Sequence, residues 1–134
     1  MMAPGPFAQH DASPRLPDRV EGVAIAIDSR SGAPILYGCC RASARTAEGL
    51  TDSILHNVSV IFTCGPELRS DSFPVVRHQA VFDEDITSHD GFLTGYFNVD
   101  LVEAGLPPAV GQYYVLASFH THVSRVIPLN WSQG

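Results

Sequence analysis

Apolar and polar residues alternate with a period of two along most of the chain, a pattern that predicts strands. In VEGVAIAIDS, Val23, Ile25 and Ile27 share one face, with the small Ala24 and Ala26 opposite. SRSG follows as a turn, with Gly32 free to take positive φ. APILYGCCRAS is apolar on both faces and so predicts a strand buried on both sides, with Gly38 marking a bulge or a close approach. ASARTAEGLTDS has helical composition but no apolar stripe, which predicts a loop with one helical turn. SILHNVSVIFT predicts a third strand, with Val58, Val60 and Phe62 facing one way and Asn57, Ser59, Ile61 and Thr63 the other. CGPELRSDS stops it, FPVVRHQAVFDED is a fourth extended segment, and ITSHDG reads as a turn. FLTGYFNVDLV is a fifth strand with Gly95 as a bulge, EAGLPPAVG a corner, and QYYVLASFH a sixth strand. VSRVIPLNW is the seventh. Pro128 cannot donate to a ladder, so this strand is expected at an edge or with a bulge.

About seven short antiparallel strands with regular turn signals predict an all-β fold, a single β-sandwich, with no helical alternation to suggest α/β. Residues 1–18 carry Pro4, Pro6, Pro14 and Pro17 with little apolar periodicity. They predict an extended or flexible N-terminal arm ahead of a sandwich domain over 19–134. An arm of this kind is suited to lying across a neighbouring subunit.

From Phe92 to Leu129 the chain resembles the immunoglobulin-like and fibronectin-like sandwich superfold. GYFNVDL leads into a proline-containing corner, and Gly111-x-Tyr113-x-Val115-x-Ala117 opens the next strand. In that superfold a tyrosine near the start of the penultimate strand pins the preceding corner through its hydroxyl. The resemblance gives that role to Tyr113, and it implies a hairpin between the last two strands. The Cys…Trp…Cys spacing of antibody domains is absent, the one tryptophan being Trp131. The resemblance implies architecture and brings no function with it.

Composition sharpens the picture in three ways. Charged residues are only 16%, below the roughly 25% usual in a soluble domain, while 45% are hydrophobic, which favours an oligomer or a docked subunit. All eight basic residues are arginine, the net charge is −6, and no Arg or Lys lies between His78 and Ser124. That span holds Asp83, Glu84, Asp85, Asp90, Asp100 and Glu103, and an acidic stretch of this kind repels phosphate backbones, so nucleic acid is not an expected partner. No signal peptide and no membrane span is expected from the apolar runs, which points to a cytoplasmic protein, with non-classical release as the alternative. Cys39, Cys40 and Cys64 are expected as reduced buried thiols, with a Cys40–Cys64 bridge as the alternative.

Candidate chemistry is sparse. No G-x-S-x-G, H-E-x-x-H or phosphate-cradling loop is present, so no catalytic residue is assigned and the chain is not expected to be an enzyme. His120 and His122 share one face if the strand continues through Thr121, and an H-x-H pair can then present two imidazoles to Zn²⁺ or Cu²⁺. If the strand turns there, they become the tip of a hairpin suited to partner contacts. Asp83, Glu84, Asp85 and Asp90 supply oxygen ligands suited to calcium, without the EF-hand spacing. The second face of the sixth strand, Tyr114, Leu116, Ser118 and His120, is too apolar simply to face water. The expected function is therefore non-enzymatic: a binding or self-assembling structural sandwich whose partner is itself or another protein. Its binding residues are Tyr114, Leu116, His120 and His122, and no cofactor is required. The alternatives are a Zn- or Cu-binding sandwich built on His120 and His122, and a secreted lectin- or toxin-like sandwich.

Overall fold

A computed structural model describes residues 6–29, 33–64, 69–77, 79–105 and 112–130. Gly32, Gly65, Pro66, His78, Pro107, Pro108, Gly111 and Trp131 lie outside the described residues. The elements in chain order are β1 (Gly22–Asp28), β2 (Ile35–Ser43), α1 (Ala44–Glu48), β3 (Val58–Cys64) and β4 (Arg69–Pro74). They continue with β5 (Ile86–His89), β6 (Phe92–Asp100), β7 (Gln112–Phe119), β8 (His122–Val123) and β9 (Ile127–Asn130). Short 3-10 turns cover Ile54–Asn57 and Asp83–Asp85.

The strands form two antiparallel sheets, one of four strands in the order β1-β2-β6-β5 and one of five, β4-β3-β7-β8, with β9 also on β7. Lettered in chain order this is A-B-E-D opposite C′-C-F-G, the strand order of an immunoglobulin-like sandwich with a C′ strand added. One core fills the space between the sheets. Val23, Ile25, Leu36, Cys40 and Phe97 enter it from the first sheet, and Val58, Val60, Phe62, Tyr113, Val115, Ala117 and Phe119 from the second. Burying each large side chain is worth about 1.5–3 kcal/mol.

Two glycines in the first sheet are explained by packing. Gly38 pairs with Phe97 in the β2–β6 register, and a Cβ there would overlap the Phe97 ring. Gly95 holds a continuous register with Cys40 and Ile86, so the bulge expected at this position does not form. Its missing side chain instead leaves room for Leu55, whose carbons lie 3.0 Å from where a Cβ would sit.

Several boundaries differ from expectation. Ile54 and Leu55 are buried in a 3-10 turn that precedes β3, because the core takes both side chains from one short turn. The edge strand β4 takes Arg69–Ser72 from the expected stop signal and Phe73-Pro74 from the start of the expected fourth segment, most of which is loop. Ile86–His89 is a short strand, and only Asp90-Gly91 forms its turn, with φ of 51° and 79°. Positive φ at both residues is what a two-residue Asp-Gly hairpin requires. The expected final strand is broken in two: Val123 pairs with Ser118, Ile127 with Val115, and Ser124 sits between. There the Ser124 hydroxyl accepts from the Ala117 N–H (2.9 Å) and donates to the Arg125 carbonyl (2.9 Å). The Ser124 N–H donates to the Ala117 carbonyl (2.8 Å), so a side chain replaces one rung of the ladder. Pro128 lies on this edge, as its missing N–H demands.

The described part of the N-terminal arm packs against its own chain. The Pro6 carbonyl accepts from the Asn98 N–H (2.9 Å), on the edge of β6 beyond the end of β5. Phe7 joins the core. His10 packs edge-on to Tyr37, ring centroids 5.8 Å apart. The Arg41 guanidinium donates to the carbonyls of Pro17 (2.6 Å) and Leu16 (3.4 Å), and its Nε to Thr94 (2.9 Å). Tyr37, Cys39 and Arg41 alternate with the core-facing Leu36, Gly38 and Cys40, so they mark the outer face of the four-stranded sheet. The arm runs along that face and covers it.

Candidate functional site

Covering one sheet leaves the outer face of the other open. Residues opposite each other in an antiparallel pair share a face. Tyr114, Leu116 and Ser118 of β7 therefore lie beside Thr63, Ile61 and Ser59 of β3. Ser70, Ser72 and Pro74 of β4 continue the face on one side, and Val123, Pro128 and Asn130 on the other. None of these side chains is charged, on a chain whose net charge is −6. Tyr114 is 44% exposed and Val123 68% exposed, and Val126, in the break between β8 and β9, is also exposed. Leu116 and Ile61 are half-buried among them. Tyr114 and Leu116, two of the expected binding residues, thus stand on one strand face whose paired neighbours are uncharged, with the exposed Arg125 next to Val126 in the break.

The two histidines separate. The chain turns at His120-Thr121, since Phe119 pairs with His122, and His120 takes φ of 55°. His120 is exposed in the turn. His122 shares the face of Phe119, away from Tyr114 and Leu116, and its Nε2 lies 3.8 Å from the Glu21 carboxylate. The continuous strand that would place both imidazoles on one face is absent here. Among the described residues no group of three or more His, Cys, Asp and Glu side chains could hold a metal. Asp83–Asp85 form a 3-10 turn in which the Asp85 carboxylate accepts from the Phe82 N–H (2.8 Å), while Asp90 pairs with Arg19 at 3.3 Å.

Two arrangements escaped the sequence reading. Glu21 gathers one end of the sandwich: its carboxylate accepts from the Ser43 N–H (2.7 Å) and the Thr46 hydroxyl (2.8 Å) and faces His122. The Ser43 N–H, with the Ser43 and Thr46 hydroxyls, holds this carboxyl down to about 2, and His122 adds to the effect against a small opposing cost of burial. No spacing signals this, because the partners come from three distant segments. The second is Ser53 Oγ within 2.8 Å of His56 Nδ1. An S-x-x-H spacing could have flagged it, but the pair is a local side-chain contact across one short 3-10 turn, with His56 exposed.

Cys39 and Cys40 are both buried. Cys40 is a free thiol in the core, so the alternative Cys40–Cys64 bridge does not form. Burial pushes the thiols of Cys39 and Cys40 up, which disfavours the reactive thiolate. The Tyr113 ring is fully buried and packs edge-on to Phe62 at 6.4 Å, which places it in the core at the start of the penultimate strand. No helix among the described residues is long and apolar enough to cross a membrane. Comparison with protein-family models, with curated proteins and with solved structures finds no match.

Proposed function

We propose that this chain is a non-enzymatic sandwich that acts through protein–protein contacts, with a second copy as its first partner. The observation that carries this reading is the open, uncharged outer face of the five-stranded sheet around Tyr114, Leu116 and Ile61. Interface centres are depleted in charge and enriched in tyrosine. Copies carrying −6 repel one another, and repulsion is least where two uncharged faces meet.

The sheet edges favour this face by default. An edge strand recruits others through its free backbone groups unless something blunts it. On β4, Asp71 is exposed in the middle of the edge strand, a charge of the kind that discourages edge pairing. The opposite edge is broken at Ser124 and carries Pro128, and β5 is only four residues long. On the five-stranded sheet a partner is therefore met by the surface and not by an added strand.

Leu116→Arg tests the reading, because it places a charge in the middle of the face without touching the core. The expected result is at least a roughly ten-fold weaker self-association by sedimentation, with an unchanged melting temperature. Unchanged association would refute it.

A further inference from the structure

We propose that residues 6–20 form an exchangeable strap: the turn at Pro17–Val20 opens, and the arm of one copy then covers the four-stranded sheet of a second copy. This goes beyond association through the uncharged face and uses a different surface.

Three observations carry it. The turn that folds the arm back is closed by the Val20 N–H on the Pro17 carbonyl (3.2 Å) and holds Arg19 at φ of 60°. A non-glycine residue in that region is strained, and short hinges under strain invite exchange of an element between copies. Opening the turn releases the strain. The strap is held at the carbonyls of Pro6, Leu16 and Pro17 and by the side chains of Phe7, His10 and Arg19, while the groups that grip it, the Asn98 N–H, Arg41, Tyr37, Asp90 and the core, belong to the sandwich. Any copy of the arm satisfies them equally.

The third observation is that the place cannot be left empty. Phe7 is part of the core. Cys39 is fully buried although it points away from the core, and the Leu16 backbone and Tyr96 lie beside its thiol. Losing the arm would expose both residues, so an arm that leaves its own sheet must be replaced by another. Reach is sufficient: the residues between Phe7 and Val20 span roughly 45 Å when extended, more than the length of β2. Exchange of an identical element in this way is a low-cost route to a dimer.

The test shortens the hinge by deleting Asp18 and Arg19 in the Leu116→Arg background, so that the uncharged face cannot supply the dimer. Light scattering gives the mass, and iodoacetamide labelling located by tandem mass spectrometry reports on Cys39. The strap predicts a dimer in which Cys39 stays protected, because the neighbour's arm covers it. A monomer with Cys39 labelled means the arm is lost and not exchanged, and a monomer with Cys39 protected means it still folds back; either overturns the proposal. Should the shortened chain fail to fold, Arg19→Gly in the same background serves instead. Relief of the turn strain should lower the arm-mediated dimer fraction at high concentration by roughly five-fold. An unchanged fraction, or no dimer to lower, counts against the strap.

Discussion

Individual residues show how few atoms hold the difficult places together. Ser124 is a buried polar residue at a break in a strand, and its hydroxyl satisfies a buried N–H that no backbone carbonyl reaches. Ser124→Ala should cost about 1–3 kcal/mol in urea unfolding, since it strands the Ala117 donor. Gly38→Ala adds a single methyl group, yet it should cost about as much or more, because the methyl meets the Phe97 ring. Combining it with Phe97→Leu should cost clearly less than the two changes added, a coupling that a double-mutant cycle reads directly.

Glu21 gives a prediction with a sign. Its folded carboxyl is lowered from 4.5 to about 2, chiefly by the Ser43 N–H. A group lowered on folding stabilises the fold above its unfolded value, and that contribution drains away as the pH falls through the window between the two. Glu21→Gln should therefore be less stable than the native chain at neutral pH by about 1–3 kcal/mol. The gap should close as the pH is taken from about 4.5 towards 2. A gap that stays constant across that window would show that Glu21 acts through packing and not through its charge.

At the scale of elements, alternation was enough where a strand has one face in the core. β1, β6 and β7 follow from the spacing of Val23-Ile25-Ile27, of Phe97 and Val99, and of Tyr113-Val115-Ala117. β2 was also legible, but the reason for its second buried face was not: Cys39 is covered by the protein's own arm. β4 was missed because RSDSFP lies at an edge, where only Phe73 sits against the core and the remainder reads as a polar turn. Ile54 and Leu55 misled in the opposite sense, since two apolar residues next to a strand look like its beginning. Of the candidate site, Tyr114 and Leu116 could be read from their parity on β7. The separation of His120 from His122 depended on where the hairpin turns, and His120 at φ of 55° does not have the glycine that would have announced it. Replacing His120 by Gly should raise the melting temperature slightly, because the turn then carries no strained side chain.

For the whole molecule, the two sheets differ in what covers them. The four-stranded sheet is sealed by Arg41, His10 and the backbone of residues 6–17. The five-stranded sheet presents an uncharged surface on a molecule with few charges and a net charge of −6. Its edges carry Asp71, Pro128 and the break at Ser124, and the proposed contact surface is the face between them. That asymmetry is the basis of the functional account.

The mass in solution tests this account most directly, measured by multi-angle light scattering over a wide concentration range for the native chain and for Leu116→Arg. The account predicts a native mass that climbs above 14.5 kDa with concentration and a variant whose mass rises only at roughly ten-fold higher concentration or beyond. A native chain that stays at 14.5 kDa throughout, or a variant that associates as the native chain does, would contradict it.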